Sequence, residues 1–269
     1  MVVMGAYVPN TPTLVEVPER EELGFPAHPA TVAALGALGR RADALGVDAV
    51  VVVTPHFMAR GGIPLVGSGH PRQLFDLTGF PESFQTIRYQ PEGLPDLAST
   101  VVRAAERDGI PAGLTEAWGL DHGAWVPLRL MWPAAPHPVL PVGLGQDVSD
   151  QDHQQLGAVI ARESGARRLA VVATGSLYHR LDRWGAGPMP PLAAALQFVQ
   201  SAVQAWQDSD WDALWGASPA ARQAAAPEGG LAGLRILAGA VGPRFAAEIL
   251  AQELEFGAVS LTSVMLTPQ

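Results

Sequence analysis

The chain has 269 residues, 48% of them hydrophobic and 16% charged, with a formal net charge of −9 from 17 basic and 26 acidic side chains. That is ample apolar material for a large buried core and excludes a disordered chain. No basic run is longer than Arg40-Arg41 or Arg167-Arg168, so there is no electrostatic footprint for nucleic acid, and the lack of cysteine excludes disulfides, thiolate metal sites and cysteine catalysis.

Val2–Val8 is an apolar run of strand length, stopped by Pro9-Asn10-Thr11-Pro12. It lacks the basic flank and long apolar stretch of a signal peptide. No apolar run reaches the roughly 18 residues of a membrane span, so a cytoplasmic protein without a membrane partner is expected. An acidic loop over Glu16–Phe25 precedes an amphipathic helix over Pro29–Leu45, ended by Gly46. Ala49–Val53 is a β-branched run with the pattern of a buried strand, cut at Thr54-Pro55-His56. A short strand is expected within Gly61–Gly69, an irregular loop over Phe75–Ser83 and a strand over Phe84–Tyr89. Leu97–Asp108 fits a helix and Ala112–Leu114 a strand leading to Asp121-His122-Gly123. The apolar Ala124–Met131 then reads as a helix.

Further strands are expected at Val139–Val142 and Leu169–Ala173, separated by a helix over Gln151–Glu163. Helices follow at Pro191–Trp206 and Leu231–Val241, and a last strand at Gly257–Leu266. Phe245–Phe256 fits helix or strand. Trp206, Trp211 and Trp215 read as packing residues rather than a cofactor box. The alternation of strands and helices implies an α/β fold, with a mostly parallel or mixed central sheet flanked by helices on both faces. With no low-complexity linker and no internal repeat, residues 1–269 are expected to form a single domain. The stretch 175–191 is the one candidate for an inserted loop.

Three histidines recur in one context. His56 follows a buried strand, His179 follows another in a Gly-Ser turn, and His122 stands at a glycine turn before a helix. In open α/β sheets ligands bind at the carboxyl ends of strands, so the three could converge on one pocket. Imidazole suits iron, zinc and copper and also serves as a general base. The competing account, that such histidines cap helices or bond loop carbonyls, applies to each one taken alone. Asp121 could bond nearby backbone or fix one imidazole nitrogen. His28, His70, His137 and His153 are expected at the surface. Glu228, in Ala226-Pro227-Glu228-Gly229-Gly230, is the best candidate for a carboxylate metal ligand, although a glutamate in a first helical turn is also favoured by the helix dipole.

These motifs in this order resemble the class III extradiol ring-cleavage dioxygenases, a family typified by the catalytic subunit of protocatechuate 4,5-dioxygenase. Leu120-Asp-His122-Gly-Ala-Trp-Val-Pro-Leu128 is the closest match. Thr-Pro-His56 supports it, as does Phe75-Asp-Leu-Thr-Gly-Phe-Pro-Glu82, which is similar to the family's Asp-Phe-x-Gly-Phe-Pro-Glu. Thr174-Gly-Ser-Leu-Tyr-His179-Arg-Leu181 is similar to its Gly-x-Leu-Ser-His-x-Leu. The resemblance implies non-haem Fe(II), with zinc as the alternative metal, and extradiol cleavage of a catechol-like aromatic diol by O2. It implies His56 and Glu228 as metal ligands and His179 as general base. His122 would bond a substrate oxygen and move a proton, with Trp125 and Phe57 drying a pocket that also includes Asp121. A homodimer or a small partner subunit is the implied assembly. One position departs from the pattern: Asn10 stands where the family carries a metal-binding histidine in its first turn. The alternative reading is a metal-poor member that binds a small aromatic or serves as a partner subunit, and further off an interaction scaffold of the Memo type. Substrate choice is expected to lie in the loops around Phe75–Ser83 and Gly185–Pro191.

Overall fold

The computed structural model describes residues 1–184 and 189–269. Its strands are β1 (Val2–Val8), β2 (Ala49–Ala59), β3 (Ile63–Val66), β4 (Ala112–Thr115), β5 (Val139–Gly145), β6 (Leu169–Thr174), β7 (Phe245–Glu255) and β8 (Val259–Pro268). They form one sheet in the order β4-β3-β5-β2-β6-β1-β8-β7. The centre, β5-β2-β6-β1, is parallel, while β8 and β7 extend it antiparallel on one side and β3 pairs antiparallel with β5 on the other. The sheet is therefore mixed, as the alternation of elements implies.

The helices among the described residues are α1 (Pro29–Ala44), α2 (Glu82–Gln85), α3 (Pro95–Arg107), α4 (His122–Met131), α5 (Asp150–Arg162), α6 (Ala193–Gln207), α7 (Trp211–Trp215), α8 (Pro219–Ala225) and α9 (Ala232–Val241). Successive side chains of a strand point to opposite faces, so a strand covered on both must be apolar throughout. In β2, Val50 and Val52 pack under α1 and α4 with Leu35, Leu38 and Trp125. Val51 and Val53 face the other core, with side chains from α3, α5, α6 and α9.

Four expectations change. β2 runs on past Val53 through Pro55 and His56 to Ala59. Its pairing with β5 shifts between Val53 and Met58, a bulge that accommodates the missing N–H of Pro55. Residues 84–89 hold no strand: Phe84 belongs to the short α2 and its ring is fully buried. Phe245–Glu255 resolves as a strand, held by the ladder to β8. His28 and His153 are buried, not at the surface. His153 accepts from Gly145 N at 3.1 Å and donates to Ser149 O at 2.8 Å, and burial holds its pKa below the ordinary value, as befits a neutral ring. Of the loop expected over 175–191, residues 185–188 lie outside the described residues. Trp211 and Trp215 stack at 5.7 Å, a packing role as anticipated.

Helices α5 and α9 meet at backbone distance. A Cβ placed on Gly157 would lie 2.0 Å from Ile236 O. In an isolated helix Gly→Ala stabilises by about 1 kcal/mol. Here Gly157→Ala is expected to destabilise the fold by about 1–3 kcal/mol, because the helices must separate; urea unfolding of the variant measures the sign.

Candidate active site

β2, β6 and β1 are adjacent and parallel, so their carboxyl ends bring His56, His179 and Asn10 to one edge of the sheet. Glu228 joins them from a 3-10 turn, Glu228–Leu231, whose first N–H donates to Ser176 O at 3.0 Å just beyond β6. With His122 and Asp76 these residues line one cavity of 590 Å³. The turn is tightly specified: Ala226, Gly229, Gly230 and Leu231 all have positive φ. A left-handed alanine and leucine cost backbone energy, of the kind that persists where surrounding structure fixes a functional side chain.

His56 Nε2 donates to Glu228 Oε1 at 2.7 Å, Asn10 Nδ2 donates to the same oxygen at 3.4 Å, and His179 Nε2 stands 3.9 Å from it. Burial works against ionising Glu228, but the His56 hydrogen bond and the neighbouring imidazoles outweigh it and hold its pKa down at about 2. Burial likewise opposes a charged His56; Glu228, aided by Asp121 and Asp76, prevails and raises its pKa. In the metal-free pocket both shifts therefore favour the charged pair, with Glu228 ionised and His56 donating to it.

His122 opens α4, and Asp121 caps the helix by accepting from Ala124 N at 3.1 Å. The same carboxylate accepts from Thr54 Oγ1 and Trp118 Nε1, both at 2.8 Å. Gly123 is required at this crossing, since a Cβ there would fall 2.6 Å from Thr54 Oγ1 and 2.7 Å from His56 Nδ1. It is Asp76, not Asp121, that orients His122. Asp76 accepts from the backbone N of His122 at 2.9 Å and from its Nδ1 at 2.8 Å, which leaves Nε2 for the cavity. Burial works to raise the Asp76 pKa, but the His122 bonds lower it overall. The rings of His56 and His122 lie 4.1 Å apart, centroid to centroid.

His56, Glu228, Asn10, His122 and His179 thus meet in one cavity. The other three expected pocket residues lie behind its wall. Asp121 is fully buried in the hydrogen bonds above, and Trp125 is fully buried in the core under α1 and α4. Phe57 stacks on Trp118 at 5.0 Å. Helix periodicity turns Trp125 inward, and strand alternation turns Phe57 away from His56. Apolar lining comes instead from Leu77 and Phe80 of the Phe75–Ser83 loop and from Leu181 and Trp184. Asp76 carried no role in the sequence reading, although it lies in the Asp-Leu-Thr-Gly-Phe-Pro-Glu segment.

Two donor sets share His56. His56, Asp76 and His122 offer ligand atoms all within 4.8 Å of one another. His56 and Glu228 form the other, with His179 and Asn10 beside them. Imidazole and carboxylate donors suit a divalent first-row metal. Glu228 Oε2 is buried without a hydrogen-bond partner, whereas the equally unpartnered His56 Nδ1 is packed against Gly123 at the start of α4. An open acceptor such as Glu228 Oε2 calls for a ligand, so the residues present fit a metal.

A second buried carboxylate braces this wall. Glu255, fully buried at the end of β7, accepts from His28 Nε2 at 3.1 Å and Thr11 Oγ1 at 3.1 Å, and from Thr13 Oγ1 and Trp184 Nε1. It ties the turn after Asn10 to Trp184 of the cavity. His28 is therefore occupied by Glu255.

An α/β protein with a histidine- and carboxylate-lined cavity at the carboxyl edge of its parallel strands is the class that this geometry defines. The chain belongs to the family described as the catalytic LigB subunit of aromatic ring-opening dioxygenase, whose model matches residues 11–267. It is 31% identical over 167 residues to a 4,5-DOPA dioxygenase extradiol of Escherichia coli K12, a match covering 60% of this chain and 59% of that protein. It is 27% identical over 224 residues to the protein of the same name from Portulaca grandiflora, covering 81% and 82%. The fold superposes on the crystal structure of an uncharacterized protein from Escherichia coli K12 with a TM-score of 0.74, over 98% of this chain and 99% of that one at 21% identity. No described helix is long and apolar enough to cross a membrane.

Glu255→Gln is expected to destabilise the fold by about 2 kcal/mol, since one acceptor oxygen becomes a donor facing donors. Burial acts to raise the Glu255 pKa, but its hydrogen bonds bring it below 4.5 overall. A depressed carboxylate adds stability that is present above pH 4.5 and lost as pH falls through the folded pKa. Unfolding curves of wild type and variant should accordingly converge on acidification.

Proposed function

We propose that the protein is a metal-dependent extradiol dioxygenase that opens a catechol-like ring with O2, and that its metal is Fe(II). The observation that carries this reading is the buried Glu228, paired with His56 and left with an open second oxygen, beside two further imidazoles in a family of ring-opening dioxygenases. Both oxygens of Asp76 are taken by His122. His56 and Glu228 would therefore hold the metal and Asp76 would not. Asn10 occupies the third ligand position. When bound, the metal supplies Lewis acidity to the diol and the redox partner for O2. The product keeps both oxygen atoms, so the reaction needs no external reductant.

The protein's own groups do the rest. His179 faces the cavity beside Glu228 and takes a proton from a diol hydroxyl. His122, with Nδ1–H fixed on Asp76, presents Nε2 to a substrate oxygen and moves a proton there. Leu77, Phe80 and Trp184 cover the diol and exclude water, which strengthens each polar contact. The relatives' names specify DOPA, a catechol, and this class of substrate fits the cavity's size and lining.

The decisive experiment is anaerobic reconstitution with Fe(II), followed by O2 uptake and the yellow ring-opened product with catechols. Binding of well below one iron per chain together with no product would overturn the proposal in favour of a metal-poor, ligand-binding member. His179→Ala is expected to lower kcat by about 10²–10⁴-fold with iron content intact. Iron loss instead would make His179 a ligand. Asn10→His is expected to tighten Fe(II) binding at least tenfold, read by anaerobic metal titration.

A further inference from the structure

The chain has 17 arginines and no lysine. Among the described residues none of these cations lines the cavity. The arginines nearest in sequence to its lining are engaged elsewhere. Arg180 makes two 2.7 Å hydrogen bonds to Asp182, and Arg183 donates to Pro190 O at 2.7 Å. Residues 185–188 are Gly-Ala-Gly-Pro and bring no ionisable side chain.

The wall does carry two carboxylates, Asp76 and Glu228, and each already has an imidazole donating to it. The remaining surface is mostly apolar: Pro12, Met58, Leu77, Phe80, Leu181 and Trp184. Met58 and Leu181 are 44% and 60% exposed, a large apolar area left at solvent. A substrate carboxylate on the ring substituent would lose water at this apolar rim and find no guanidinium or ammonium among the described lining residues to replace it. An alkyl or aryl substituent would instead cover exposed apolar surface, at roughly fourfold in affinity per buried methylene.

From this charge pattern we infer that the site selects catechols with an uncharged, apolar ring substituent and discriminates against those bearing a carboxylate. The inference rests on the ring-cleavage reading above and narrows its substrate class. It departs from DOPA, whose side chain carries a carboxylate.

Calorimetry on the Fe(II)-loaded protein without O2, comparing 4-propylcatechol with the similarly sized 3,4-dihydroxyphenylacetate, reads the preference directly; O2 uptake on the same pair then reads turnover. We expect the neutral catechol to bind at least tenfold tighter and to have the higher kcat/KM. Equal or tighter binding of the carboxylate overturns the inference and leaves ring cleavage standing. A neutral preference without O2 uptake on either compound overturns ring cleavage and leaves the selectivity standing. No binding of either overturns both. Leu181→Arg, which puts a cation at the exposed rim, is expected to narrow the gap at least tenfold by improving binding of the carboxylate. An unchanged gap would assign the preference to something other than the wall's charge, which also overturns the inference.

Discussion

The site depends on one interaction, the ion pair between His56 and Glu228. It joins a bulge in the middle of the sheet to a strained turn some 170 residues later, and each side is shaped for it. The bulge at Pro55 frees His56 from the ladder with β5. The left-handed run from Gly229 to Leu231 shapes the turn that presents Glu228. Removing one partner of a buried pair leaves an uncompensated charge, which costs more than the pair contributes. Loss of either residue would therefore disturb the sheet edge as well as the chemistry.

Around that pair the supporting groups fall into two sets with separate tasks. Asp121 fixes the α4 entry by accepting hydrogen bonds from Thr54, Trp118 and Ala124 at once, so the position of His122 is set by the helix start. Burial, partly offset by His56 and its hydrogen bonds, leaves the Asp121 pKa raised, a group placed for structure rather than for exchange with solvent. Asp76 sets the tautomer of His122 from the opposite side. Position and tautomer of one imidazole are thus set by different carboxylates on different segments. Glu255 does similar work for the far wall, through the Asn10 turn and Trp184.

What could be read from the sequence follows the same division. His56 and His179 were legible because each follows a β-branched run, and strand ends in a parallel sheet gather at one edge. His122 was legible from the glycine beside it. Glu228 was legible only as a candidate from its Pro-Glu-Gly-Gly setting, since one residue in a short turn has no periodicity to distinguish it from a helix-start glutamate. Asp76 and the Glu255 cluster escaped for a related reason: their partners lie between 46 and 244 residues away, distances at which no local pattern survives. Trp125 and Phe57, which the resemblance implies for the pocket, lie outside its lining because proximity in sequence to a site histidine is not proximity in space. The side-chain directions of a helix and a strand decide that, and they turn both rings away.

Asn10 shows how the pocket holds its charge with an amide in place of an imidazole. Its Nδ2–H donates to the same Glu228 oxygen that His56 binds, so the amide supports the carboxylate as a carboxylate. A histidine there could contribute a stronger metal bond, but it would also add another group able to take up a proton beside Glu228. The amide cannot change charge. With Glu228 already held near pKa 2, a neutral donor at this corner keeps the carboxylate's remaining oxygen open and its charge fixed across the whole neutral range. On the proposed reading, an amide at this corner would make a weaker ligand set than an imidazole while leaving the charge of Glu228 undisturbed.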